Sequence, residues 1–116
     1  MSTLFTKIIN REIPASIVYE TDKVIAFNDI NPQAPVHVLV VPKKEIPTLN
    51  DIESKDSEYL MEMYRAIKEI TRDLKIAEDG YRVITNCNSH GGQEVFHLHF
   101  HILGGEKLGS MLCSKG

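Results

Sequence analysis

Apolar residues recur along this chain in two rhythms, and each change of rhythm marks a change of element. Leu4, Phe5, Ile8 and Ile9 fall at helical spacing and predict a short N-terminal helix over 1–13, closed by Pro14. "SIVYET" (16–21) and "KVIAFND" (23–29) then read as strands, with Asp22 and Lys23 at the turn between them. "INPQAP" (30–35) is a loop stiffened by Pro32 and Pro35. "VHVLVVP" (36–42) is apolar on both faces apart from His37, the pattern of a central strand covered on both sides. Leu60, Met63, Tyr64, Ile67, Ile70, Thr71 and Leu74 step by three and four, forming one stripe of a long helix. Ser54 to Ser57 offer its N-cap and Gly80 its end. "GYRVITNC" (80–87) predicts a fourth strand, 88–94 a loop, and 95–103 the last strand; the tail from Gly104 carries little pattern. Strands joined mostly by short turns favour antiparallel pairing. The expected fold is therefore α+β: a five-stranded antiparallel sheet, one long covering helix and the short N-terminal helix.

Composition narrows the setting. A chain of 116 residues without repeats or low-complexity tracts suits one domain, taken as 1–116 with a tail over 104–116. The net charge of −3, with no basic block, argues against a nucleic-acid partner but leaves room for a small anion in a cationic pocket. Cys87 and Cys113 form no C-x-x-C pair and are read as reduced thiols. No charged start followed by a long apolar stretch suggests a signal peptide. The longest apolar run, Val38 to Val41, is far too short for a membrane span. A cytoplasmic protein is expected.

The chemistry concentrates in "VFHLHFHILGG", residues 95–105. Three of the five histidines, His97, His99 and His101, alternate there with Leu98, Phe100 and Ile102. In an extended segment alternate side chains share a face, so three imidazoles line one side while apolar residues enter the core. A solvated strand face would be served equally well by Thr, Lys or Glu. Zinc is a second reading, but at ~3.3 Å per residue the outer two Cα atoms stand roughly 13 Å apart. A two-histidine site would then recruit His37, His90, Cys87 or a carboxylate. The third reading is metal-free phosphoryl chemistry, in which a neutral imidazole attacks while neighbours hold protons for phosphate oxygens or a leaving group. "HGGQ" immediately before the segment offers backbone N–H groups to the same anion.

This segment resembles the signature of the histidine triad (HIT) family, and its "LGG" ending resembles the Hint branch. "FTKIINREIPASIVYE" and "AFNDINPQAPVHVLVVPK" are similar to other Hint segments in the same order, so the resemblance extends to about Gly105. It implies metal-independent hydrolysis of purine nucleoside 5′-phosphoramidates and related acyl-nucleotides, through a covalent nucleotidyl-histidine intermediate and with no cofactor. It implies His99 as nucleophile, its other ring nitrogen donating to the backbone carbonyl of His97. His101 would contact the phosphate and assist the leaving group, and His37 would bind a phosphate oxygen. Asp29 matches the carboxylate that holds the ribose hydroxyls, and Asn86 an amide near ribose and phosphate. Gly92 and the backbone of Glu94 match the phosphate-binding loop. Leu4, Phe5, Ile8, Phe27, Ile30 and Leu39 match the apolar slot around the base. Glu94 stands where well-known animal members carry a serine, which leaves leaving-group preference open, and the tail lacks the tryptophan that such members send across to the partner's site. A homodimer is implied as well. Two other functions remain in view: hydrolysis of dinucleoside polyphosphates, usually by members without "LGG", and a nucleotide-binding or interaction module with incidental turnover.

Overall fold

The computed structural model describes residues 3–112; Cys113 and the end of the tail lie outside them. Five strands form one antiparallel sheet in the order β1-β2-β3-β5-β4, with β1 Ile17–Glu20, β2 Val24–Asn28, β3 Val36–Pro42, β4 Arg82–Ile84 and β5 Phe100–Gly104. The α+β architecture is the one expected, with β3 in the middle of the sheet. The short helix α1 (Leu4–Ile9) lies on one face, and α2 (Ser57–Asp73) lies on the other.

Alternation in the two central strands divides the core. Val24 and Ala26 of β2 and Val38 and Val40 of β3 face α2, where Met63, Ala66, Ile67 and Ile70 meet them together with Leu98, Phe100 and Ile102. Ile25, Phe27, Leu39 and Val41 face the other way and are covered by Phe5 and Ile8 of α1. The stripe expected on α2 is corrected in detail. Ala66 is buried, while Tyr64 and Leu74 are exposed; Tyr64 lies at the rim against Phe100, with ring centroids 5.7 Å apart.

Both helices stop sooner than their sequence punctuation suggests, and both by the same device. Helix α1 does not run to Pro14. Its end is set by Arg11 at φ 61°, with the Arg11 and Glu12 N–H groups donating to the carbonyls of Ile8 and Lys7. Helix α2 does not extend toward Gly80. Lys75 takes φ 61°, and the Lys75 and Ile76 N–H groups donate to the carbonyls of Arg72 and Thr71. This is the Schellman arrangement, with a basic residue where glycine is usual. In α2 it also drives Ile76 into the core.

The last two strands are shorter than 80–87 and 95–103. Strand β4 pairs with β5 only from Arg82↔Leu103 to Ile84↔His101, and the β3–β5 ladder ends at Val40↔Phe100. Beyond it the carbonyl of Pro42 is taken by the ring of His97 instead of a strand N–H. Residues 95–99 are held individually: Leu98 N–H donates to the Ile46 carbonyl at 2.6 Å, and Thr85 Oγ1 donates to the His99 carbonyl at 2.9 Å. Alternation of faces survives without the ladder. At the far end of β5, Gly105 has φ 90°, and a Cβ there would stand 2.9 Å from the Cβ of Pro35. The "LGG" ending is therefore a close approach of β5 to the loop that precedes β3.

No helix among the described residues is long and apolar enough to cross a membrane.

Candidate active site

Four of the five histidines gather on the α1 face, at one edge of its apolar cluster. His99 and His101 have ring centroids 5.0 Å apart, and His101 and His37 5.2 Å. Phe5 joins the row to the helix: its ring stands edge-on to His99 at 4.9 Å, to Phe27 at 5.5 Å and to His97 at 6.1 Å. The rings expected on one face do share it.

Each ring has a distinct set of partners. His97 is fully buried, and its Nε2 lies 2.7 Å from the Pro42 carbonyl oxygen. A carbonyl only accepts, so Nε2 carries the proton. Nδ1 is then a buried acceptor without a partner among the described residues. His97 is thus a buried brace and stands back from the open side of the site. His99 Nδ1 lies 2.7 Å from the carbonyl oxygen of His97. By the same logic Nδ1–H donates, and the lone pair is left on Nε2. His37 Nδ1 receives the backbone N–H of Gln33 at 3.0 Å, while its Nε2 faces His101 Nδ1 at 2.9 Å and Asp29 Oδ2 at 3.4 Å. The other oxygen of Asp29 accepts the Asn31 N–H at 2.8 Å, an Asx turn that aims the carboxylate.

Burial lowers the pKa of all four rings below the ordinary histidine value. For His37 the nearby Asp29 carboxylate partly opposes this. For His97 the Pro42 carbonyl opposes it most, and for His99 the His97 carbonyl does. His101 is pushed down to about 4, first by burial and then by repulsion from charge on His99 and His37. At neutral pH the row is uncharged, so a lone pair is available on His99 and the protons present are imidazole N–H groups.

The remaining expected residues are placed unevenly. Phe5, Ile8, Phe27 and Leu39 are brought together under α1, but Leu4 is half exposed and Ile30 is 89% exposed on its loop. A cleft of about 350 Å³ beside them is lined by Ile8, Glu12, Ile13, Ala15 and Ile17, with no histidine in its wall. Asn86 is half-buried just after β4. Gly92, with φ 79°, and the exposed Glu94 follow a short 3₁₀ turn at Ser89–Gly91 that carries exposed His90. Asp29, His37 and His101 offer three ligand atoms mutually within 4.8 Å, a set that takes one ring of the row and so differs from the His-x-His pair considered for zinc.

Two supports were missed. Gln93 is buried; its side chain accepts the Asn88 N–H at 2.9 Å and donates to the carbonyls of Pro47 at 2.8 Å and Val95 at 3.1 Å. It anchors the Gly-rich turn to the segment after β3. Thr85, just past β4, holds the backbone of His99. A polar residue between Gly92 and Glu94 gives no period to read, and the Thr85 contact crosses strands.

Comparison with known proteins agrees with this geometry. The HIT domain matches residues 10–108. A purine nucleoside phosphoramidase of Escherichia coli K12 is 54% identical over 114 residues, covering 98% of this chain and 96% of that protein. A histidine triad protein of Clostridium difficile superposes with a TM-score of 0.91 at 49% identity, over 97% of each chain. A histidine triad nucleotide-binding protein of Candida albicans gives 0.81 at 33% identity, over 99% of this chain and 87% of that one. Sequence match over most of the length, a shared fold and three imidazoles on one face together establish that the chain belongs to the HIT family.

Proposed function

We propose that this protein hydrolyses purine nucleoside 5′-phosphoramidates and related acyl-nucleotides without a metal, through a nucleotidyl-histidine on His99. The observation that carries the reading is the 2.7 Å contact from His99 Nδ1 to the His97 carbonyl. It fixes the tautomer so that Nε2 presents a lone pair. Similarity to a protein named purine nucleoside phosphoramidase supports the substrate class. In the first step the Nε2 lone pair bonds phosphorus, the P–N bond of the substrate breaks, and the departing amine takes a proton from His101. In the second, water attacks the nucleotidyl-histidine, returns a proton to His101 and frees His99. Amine and nucleoside monophosphate are the products.

The other roles rest on the family resemblance, with one change at His37. His37, its Nδ1 held by the Gln33 N–H and its Nε2 against His101 Nδ1, supports His101 instead of binding a phosphate oxygen, and Asp29, at the loop beside it, holds the ribose hydroxyls. Asn86 approaches ribose and phosphate, while the N–H groups of Gly92 and Glu94 take phosphate oxygens. Phe5, Ile8, Phe27, Leu39 and the exposed Ile30 flank the base. Exposed Tyr81 and Val83 at the β4 edge support a homodimer.

Mass measurement after mixing with a slowly hydrolysed adenosine 5′-phosphoramidate tests the reaction. A nucleoside monophosphate adduct on intact protein, absent in His99→Ala and formed in EDTA, is expected. Turnover in His99→Ala, or loss of activity in EDTA restored by zinc, overturns it. Faster cleavage of diadenosine polyphosphates favours the other hydrolase reading.

A further inference from the structure

We infer that the backbone N–H of Gln33 fixes the tautomers of His37 and His101 in series, so that the proton of His101 resides on Nε2. Gln33 is a positioning residue in this scheme. The catalytic consequence rests on the function proposed above; the wiring itself does not.

The direction of each link is set by chemistry. A backbone N–H can only donate, so His37 Nδ1, 3.0 Å from Gln33 N, must be an acceptor. A neutral imidazole with a bare Nδ1 carries its proton on Nε2. The surroundings of that nitrogen agree independently. Asp29 Oδ2, 3.4 Å away, is a carboxylate oxygen that only accepts. His37 Nε2–H therefore donates to His101 Nδ1 across 2.9 Å. His101 Nδ1 is then the acceptor, and the remaining proton belongs on Nε2. The two rings belong to neighbouring strands, β3 and β5, but the first link comes from the loop before β3. Reversing one link would place two N–H groups, or two lone pairs, face to face in a half-buried site.

Two consequences follow. His101 enters each cycle with its proton already on the nitrogen that no other histidine occupies, available to a leaving amine without tautomerisation. Second, His37 Nε2 is a donor, so the cluster of Asp29, His37 and His101 is wired for hydrogen bonding. Nε2 could bind an ion only by losing its proton and giving up its bond to His101.

The loop is built to hold this amide still. Pro32 and Pro35 bracket Gln33 and Ala34 and restrict the backbone on either side. Gly105 passes close enough to Pro35 that no side chain fits between them. The side chain of Gln33 has no part in the link.

Long-range ¹H–¹⁵N correlation on protein labelled at histidine, without substrate, reads the tautomers directly. At pH 7.5 the expected result is Nε2–H for both His37 and His101, and Nδ1–H for His99. Gln33→Ala keeps the N–H and should leave all three unchanged. Replacing residue 33 by its α-hydroxy acid converts the amide to an ester and removes only the donor. It should turn the His37 and His101 signals into a tautomer mixture. It should also lower kcat roughly tenfold for an alkylamine phosphoramidate, with KM little changed. A substrate whose leaving group needs no proton should be nearly unaffected. Nδ1–H on His37 in the unmodified protein, or unchanged tautomers in the ester, overturns the inference. Expected tautomers in a protein that cleaves no phosphoramidate would leave the wiring standing and refute the reaction proposed above.

Discussion

The two faces of this sheet are built from the same strands and have opposite characters. Toward α2 every contributing side chain of β2 and β3 is apolar, and Met63 and Ala66 are fully buried against them. Toward α1 the apolar residues share their layer with four imidazoles, one of which keeps a buried nitrogen without a partner among the described residues. The α2 face invests its burial in stability. The α1 face places polar rings where they lose solvation, which keeps them neutral and poised. One residue of register separates the two, since Val38 and Leu39 are neighbours in sequence and point to opposite layers.

This contrast can be broken at graded points. His99→Ala should lower phosphoramidate turnover by about 10³-fold or more, while AMP binding by calorimetry and the melting temperature stay near those of the parent. Lost binding together with lost turnover would make His99 a structural ring. On the opposite face, Met63→Ala should cost about 2–5 kcal/mol in urea unfolding, with kcat unchanged below the transition. A fall in kcat there would join the two faces. The pH dependence has a definite sign. The histidines have native pKa values below the unfolded one, so between pH 6.5 and about 4 the unfolded state binds more protons. Their contribution is complete above ~6.5 and is lost as pH falls toward the native value. Thermal melts from pH 7.5 to 4.5 should show this decline, and His101→Phe should flatten it; an unchanged slope would assign the acid limb to other groups. The smallest effect is expected for Thr85→Val, about 1 kcal/mol by the same unfolding assay. A kcat loss larger than that stability change would show the Thr85 contact to be felt at His99.

Much of this was readable from the sequence where burial itself writes the pattern. The run from Val36 to Pro42 is covered on both sides and reads as such, and the alternation of His97, His99 and His101 put the rings on one face even though the ladder starts only at Phe100. What escaped depends on partners distant in sequence or on backbone conformation. Pro14 and Gly80 look like helix stops, yet Arg11 and Lys75 end the helices through left-handed backbone that their side chains do not advertise. Ile76 lies beyond the period of α2 and is buried because the chain turns back there. Tyr64 obeys the period and still reaches the rim. Gln93 and the Gln33 amide act through single hydrogen bonds to chain far away or to a ring, which no periodicity encodes.

Strand order has a consequence in time. His37 meets a strand that leaves the ribosome more than sixty residues after it, because β3 lies between β2 and β5 in the finished sheet. A nascent chain that has already made its first three strands and its long helix still lacks three of the four rings. The cluster of rings therefore forms only once 97–101 has joined the sheet, and before that His37 stands without the ring it pairs with.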